Sequence, residues 1–396
     1  MRDILPELTD LIERGEAFAL STVVRTWSSS PRPVGAAMTV SARGQAVGSV
    51  SGGCVEGAVY EVAQEVLEGG APQLVLYGVA DENAYATGLT CGGSIELFVQ
   101  RADDGFRADI RRIADAVDEH VPIGLAMVVA GPDDRLGRRL VVTEEDATGS
   151  LGGAELDVAV AAQVRSRMAV DATGSIELAL DGTPLGAAPA DEGGATIEDA
   201  GGVRVFIDTF LPPRRMIVIG AIDFAEAVTR MGKFLGYHVT VCDPRPIFAT
   251  RERFPYADEV VVKWPHLFLD EITMDDRTAL AILTHDKKFD VPLLSRALRR
   301  PAQYIGWMGS RHLLRELLAS LREHGMTEEE IARMHAPIGL DLGARTPEET
   351  AVSIAAEIVS VACGGTGQKL RSVTDSESIH RGTLASESGP APEPGP

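Results

Sequence analysis

The chain has 396 residues, 45% of them hydrophobic, and carries 58 acidic against 37 basic side chains for a formal net charge of −21. That length predicts two or three domains with real cores. The charge excludes nucleic acid or an anionic membrane as the main partner, because phosphates would be repelled. No signal peptide is expected, since Asp3, Glu7 and Asp10 interrupt the first apolar stretch, and no apolar run is long enough to span a bilayer. Four cysteines in this length do not make a disulfide scaffold. The expectation is a cytoplasmic, multi-domain protein.

Leu5, Leu8, Leu11 and Ile12 fall on one side of a short helix over Leu5–Arg14. Ala17–Thr26 and Ala37–Ser41 read as strands joined by the loop Ser28–Pro33. From Ala17 to Val55 the only charged residues are Arg25, Arg32 and Arg43, a cationic island within an acidic half. Residues 1–202 hold 14 basic and 32 acidic side chains, whereas residues 203–363 hold 20 and 22. Gln45–Val50 reads as a further strand. Ser51-Gly52-Gly53-Cys54 is a turn, and Val55–Leu67 a helix that places Cys54 and Glu56 at its start. Unpaired N–H groups there favour a thiolate, and paired glycines let a ligand approach the backbone. The reading is a polarised thiol in an anion-binding loop, against the alternative of a small buried cysteine in a tight turn. Gln73–Tyr77 and Ile95–Gln100 are strands, and the loop between them carries a second glycine–cysteine element, Cys91-Gly92-Gly93. Ile123–Ala130 and Leu140–Thr143 extend the β pattern before a helix over Ala154–Met168.

Residues 1–180 are therefore expected to form an α+β domain with a mixed sheet. Residues 181–202, rich in Gly, Ala, Asp and Pro, are expected to be a variable connection. Residues 203–363 are expected to form a Rossmann-like, doubly wound parallel sheet. Its first strand, Met216–Ile219, leads into Gly220 and a helix, and Asp243 ends the next strand 23 residues later. The glycine signature is incomplete. Gly220-Ala221-Ile222-Asp223 puts Ile222 where a pyrophosphate needs open backbone and Asp223 where it needs no negative charge. That counts against ordinary NAD(P) binding and against an NAD(P)-dependent oxidoreductase. Asp243 is left as a ribose ligand or a turn residue. His285 follows one strand, and Gly309 and Ser310 follow another, with Ser310 as an N-cap. Capping boxes are expected at Thr327/Glu330 and Thr346/Glu349. Cys242 and Cys363 read as structural, and residues 364–396 as a disordered tail. A thiol hydrolase using Cys54 with a distant histidine such as His285 has no local signature in its favour.

Three segments of the first half, Pro31–Met38, Gly48–Glu56 and Gly88–Gly93, together with Thr284-His285, Tyr304–Gly306, Gly309-Ser310 and Pro337–Pro347, resemble the XdhC/CoxI family. These are accessory proteins of xanthine dehydrogenase and related molybdenum hydroxylases. Family members often carry Gly-Ala-Gly-His where this chain has Gly220-Ala221-Ile222-Asp223. The resemblance implies a molybdenum-cofactor chaperone more than a catalyst. It would bind molybdopterin or its dinucleotide form, support sulfuration by a cysteine desulfurase, and insert the cofactor into the large subunit of an apo-hydroxylase. The family's cysteine motif carries over onto Cys54, as a molybdenum or sulfur contact. Arg32, Ser51, Gly52, Gly53, Glu56, Cys91, Gly92, Gly93, Gly220, Asp243, His285, Gly309, Ser310, Gly339 and Asp341 are the further candidates for cofactor contact. A homodimer is a further expectation.

Overall fold

A computed structural model describes residues 1–27, 30–78, 93–185, 197, 201–284 and 286–372. The chain divides into two compact units that meet in sequence at Pro212 and Pro213.

The first unit opens with α1 (Leu5–Glu13), β1 (Phe18–Trp27), β2 (Ala37–Ser41), β3 (Ala46–Gly48), α2 (Glu56–Leu67), β4 (Gln73–Tyr77) and β5 (Ser94–Arg101). After α3 (Asp104–Asp118) come β6 (Ile123–Ala130), β7 (Arg139–Val142), β8 (Ala147–Gly149), α4 (Ala154–Ala169), β9 (Gly174–Ala179) and β10 (Gly202–Phe210). The expected mixed sheet resolves into two five-stranded sheets, ordered β3-β2-β1-β5-β4 and β8-β7-β6-β10-β9. Every pairing in both is antiparallel. Antiparallel neighbours follow from the short β1–β2–β3 and β6–β7–β8 connections, which leave no room for a crossover.

The two sheets repeat one plan: three strands, a helix, then two strands, with the last strand returning beside the first. The repeat extends to side chains at a constant offset of 101 residues. Val50, Val55, Val59 and Ala63 correspond to Leu151, Leu156, Val160 and Val164, and all eight are fully buried. Val24 and Phe98 of one sheet pack with Met127, Val129 and Phe206 of the other. The amphipathic helix α3, whose N-cap Asp103 accepts from Phe106 N–H at 2.6 Å, buries Phe106, Ile110 and Ile113 against Leu8, Leu11 and Ile12 of α1.

The domain boundary differs from expectation. The strand at 203–210 was expected to open the second domain, but β10 pairs with β6 and β9 and completes the second sheet of the first unit. Its hydrogen-bond partners, and not its sequence neighbours, decide where it belongs. Most of the expected connection at 181–202 lies outside the described residues.

The second unit begins with β11 (Arg215–Ile219), α5 (Asp223–Phe234), β12 (His238–Cys242) and β13 (Glu259–Val261). It continues through α6 (Pro265–Glu271), β14 (Thr278–Ile282), α7 (Lys287–Ala297), β15 (Tyr304–Trp307), α8 (Arg311–Glu323), α9 (Glu328–Ala332), β16 (Met334–His335) and α10 (Pro347–Cys363). Its six strands run in the order β13-β12-β11-β14-β15-β16, all parallel. This is the doubly wound order with its switch point between β11 and β14. Strands such as β14, buried at all five positions and apolar at four of them, need cover on both faces, and two core clusters supply it. Both expected capping boxes form: Thr327 with Glu330 at α9 and Thr346 with Glu349 at α10. Gly364 in the left-handed region ends α10. The expected disordered tail lies outside the described residues from position 373 onward. No helix of the described residues is long and apolar enough to cross a membrane.

Candidate functional site

The Ser-Gly-Gly-Cys turn links β3 to α2. Gly52 and Gly53 have φ of 74° and 113°, so this double reversal needs glycine for its backbone conformation. Both glycines are exposed, and a Cβ on Gly53 would meet nothing within 4 Å. Cys54 follows, half-buried and outside any disulfide. A Cβ on Gly52 would lie 3.9 Å from Pro31, so the arginine-bearing loop sits beside the turn.

Glu56, at the first position of α2, organises the turn. Its carboxylate accepts from Ser49 Oγ at 2.7 Å, Ser51 N–H at 2.9 Å, Val50 N–H at 3.2 Å and Gly53 N–H at 2.8 Å, and from Ser51 Oγ. Gly52 N–H reaches Ser49 Oγ, while Cys54 and Val55 N–H reach Ser51 Oγ. Burial raises the Glu56 pKa, but the hydroxyls of Ser51 and Ser49 and the Ser51 N–H outweigh it and bring it down to about 2. The expected anion-binding loop is thereby corrected: its N–H groups are already occupied by the protein's own carboxylate and hydroxyls.

The second copy of the repeat shows which of these features are architectural. At the equivalent turn Ser150 Oγ and Leu151 N–H both donate to Asp157 at 2.7 Å, and Gly152 N–H donates to Ser150 Oγ at 3.0 Å. Serine, buried aliphatic residue and first-turn carboxylate are common to both turns. The thiol is not, because Glu155 stands where the first copy has Cys54. The helix also starts earlier, at Ala154, where the offset from Glu56 would place it at 157. In the first copy those three residues, Gly53 to Val55, are unwound and present the cysteine.

The cationic island does not survive folding as free charge. Arg25 lies 3.4 Å from Glu177, Arg32 2.6 Å from Asp3 and Arg43 3.6 Å from Glu16, each acid coming from outside the segment. Arg32 Nε is buried, with no hydrogen-bond partner among the described residues. Cys91 and Gly92 lie outside the described residues; Gly93 is buried immediately before β5.

In the second unit Gly220, Asp243 and Thr284 come together at the carboxyl ends of β11, β12 and β14. A Cβ on Gly220, whose φ is 103°, would meet Thr284 Cγ2 at 2.8 Å. Asp243 is wholly buried. It accepts from Ala221 N–H at 2.8 Å, and from Arg245 through N–H at 2.9 Å, Nε at 2.9 Å and Nη2 at 2.7 Å. Against the effect of burial, Arg245 and the Ala221 N–H hold its carboxyl below the usual range. Its ribose role is corrected accordingly: Asp243 braces the first βα turn, and its oxygens face the protein. His285 lies outside the described residues.

The other candidates are packing or capping residues. Gly309 lets the chain lie on the Trp307 ring, 2.0 Å from where a Cβ would be, and Ser310 caps α8. Gly339, at φ 94°, packs on Ser353 and donates to Glu357 at 2.7 Å. Asp341 is exposed. Burial drives the Cys242 thiol up to about 12, which fits the structural role expected for it. Sequence reasoning missed Glu357, which gathers Tyr304 OH, His335 and Gly339 N–H around one carboxylate. Its partners are far apart in the chain, so no local motif announces it. Among the described residues no group of three or more His, Cys, Asp or Glu could hold a metal ion.

A family model for the XdhC Rossmann domain matches residues 216–358, and one for the XdhC and CoxI family matches residues 11–78. A protein of Bacillus subtilis described as a probable xanthine dehydrogenase subunit is 24% identical over 355 residues, 89% of this chain and 95% of that protein. The molybdenum cofactor insertion chaperone PaoD of Escherichia coli is 24% identical over 363 residues, 91% of this chain and 88% of that one. The fold matches a crystal structure of a xanthine dehydrogenase from Bacillus halodurans with a TM-score of 0.67 at 23% identity, over 93% of this chain and 97% of the other.

Proposed function

The chain belongs to the XdhC and CoxI family, and on that footing we propose that it is an accessory protein that carries the molybdenum cofactor to a hydroxylase of the xanthine dehydrogenase type. The cofactor is its cargo. One observation carries the assignment of the site: of two turns built alike, only one is unwound by two successive left-handed glycines, and that one presents a cysteine. A thiolate is a soft ligand suited to molybdenum or to the sulfur exchanged on it. Cys54 is the cargo contact in this reading. Glu56, Ser49 and Ser51 hold it in position through the turn and do not touch the cargo. Arg32, beside the turn, is the cationic group placed to meet the pterin phosphate, in exchange for its exposed partner Asp3. The chain's partners are then the large hydroxylase subunit that receives the cofactor and a cysteine desulfurase that supplies the sulfur, with a second copy of the chain as a further one.

The test is delivery. An apo-hydroxylase of this type is mixed with limiting molybdenum cofactor, either free or first incubated with the full chain, and activity is followed over time. Faster or more complete activation by the preincubated cofactor is expected, with the gain lost in Cys54→Ala. Equal activation with and without the chain would contradict the reading.

A further inference from the structure

Helix α10 is apolar on more than the face it buries. Ala351, Ile354, Ala355 and Ile358 pack inward, and the helix lies beside α5. From Thr350 to Cys363 the only charged residue is Glu357, whose carboxylate is taken by Tyr304 OH and Gly339 N–H. A second row, Val352, Ala356, Val359 and Cys363, turns outward, with Val352 46% and Val359 43% exposed. Phe234, the last residue of α5, is 84% exposed, and with Val352 it lines a groove of about 740 Å³ between α10 and Glu252–Pro255. A helix apolar on both sides is normally covered on both.

The outward row is complementary to itself. Its residues are spaced four, three and four apart, the seam along which two helices pack. The spacing reads the same in both directions. A two-fold axis between Ala356 and Val359 therefore sets Val352 against Cys363 of the second copy, and Ala356 against Val359. The charges agree with this antiparallel direction. Burial, and Cys363 with it, push the Tyr237 hydroxyl up, which places the end of α10 beside Tyr237, just beyond α5. The two helices thus run the same way. An antiparallel copy then brings Glu348, at the acidic start of α10, to the far half of α5, where Arg230 lies over the Tyr256 ring at 5.1 Å. Glu348 and Arg230 are both exposed, and neither has an ion pair among the described residues. The axis also keeps the two Glu348 side chains at opposite ends of the contact. With 17 residues α10 is about 25 Å long, and two helix widths of about 10 Å make a face on the order of 500 Å² per copy. A tight interface buries about 800 Å² per partner, so a smaller face of this kind suits micromolar association.

We propose that the outer face of α10, with Phe234 of α5 at its side, docks a second copy of this chain about a two-fold axis that sets the two α10 helices antiparallel. The proposal rests on the part of the functional reading that names a second copy as a partner. It is tested without cofactor, so its failure leaves the cargo reading standing. Sedimentation equilibrium of the full chain over a dilution series should show a reversible monomer–dimer equilibrium. Val359→Glu, at a half-exposed position, should weaken it by about tenfold or more with unchanged melting of the dilute monomer. Glu348→Arg and Arg230→Glu should each weaken it about fivefold, and the double reversal should return to within about twofold of wild type. Independently of these, Val352→Cys should cross-link to Cys363 of the second copy under mild oxidation, and the same variant carrying Cys363→Ser should not. A wild type that stays monomeric at about 100 µM, a dimer that Val359→Glu leaves intact, a double reversal no better than the single ones, or cross-linking that does not need Cys363 would each overturn the proposal. So would a monomeric chain whose α10 face becomes protected only on adding an apo-hydroxylase, which would assign the face to that partner.

Discussion

Replacing Glu56 by Gln removes the charge around which the cysteine turn is built. In the fold its carboxylate accepts from three backbone N–H groups and two hydroxyls, and its pKa is about 2 against an ordinary value of 4.5. At about 1.36 kcal/mol per pKa unit the ceiling on the contribution is about 3.4 kcal/mol. The carboxylate is partly open to solvent, which screens it, so about 1–2 kcal/mol is the expected loss. For a unit of this size that lowers the midpoint of thermal unfolding by about 3–6 °C at pH 7. The sign of the pH dependence follows from a depressed folded pKa. The stabilisation is complete above about pH 4.5 and disappears as pH falls toward 2. The gap between wild type and Glu56→Gln, followed by circular dichroism from pH 7 to pH 3, should therefore narrow with acidification. Asp157→Asn, with the sparser bonding of the second turn, should cost about half as much. A Glu56→Gln protein that melts with wild type at pH 7, or a gap that widens in acid, would refute the reasoning.

Gly220→Ala forces a Cβ into a left-handed position against Thr284, and should cost about 2–4 kcal/mol, seen as earlier melting of the second unit. Asp243→Ala leaves the Ala221 N–H without its acceptor and Arg245 without its partner; the penalty should be about 3 kcal/mol or more in chemical denaturation. The first turn should tolerate Cys54→Ser, whose melting point should stay within about 1–2 °C of wild type because the change swaps a single atom and keeps the Cys54 N–H bond to Ser51 Oγ. Removing Thr346 by substitution with Ala breaks the capping box of α10 and should lower stability by about 1 kcal/mol, measured by urea titration.

Local signals were legible and distant ones were not. Strand β2, the α10 capping box and the strand–glycine–helix start of the second unit each depend on a few neighbouring residues, and each forms where it was expected. The cationic island was an accurate statement about sequence and a poor one about space, because Asp3, Glu16 and Glu177 arrive from elsewhere in the fold. The repeat within the first unit was hidden because its two copies share burial and hydrogen-bond roles more than residue identities, as in Glu56 and Asp157. The helix α3 carries a visible signal in Phe106, Ile110 and Ile113 that went unread among its charges. For Asp243 the clue was close by: an arginine two residues on can satisfy a buried carboxylate before any ribose does.

The most direct test of the account is whether the chain holds molybdenum cofactor through Cys54. Full-length protein is incubated with molybdenum cofactor and passed through gel filtration, and molybdenum and pterin are quantified in the protein peak. Comparable molybdenum and pterin in the wild-type peak, falling by about tenfold or more in Cys54→Ala, is the predicted result. A wild-type peak free of pterin and molybdenum would contradict the account, and equal retention by Cys54→Ala would remove the cysteine from it.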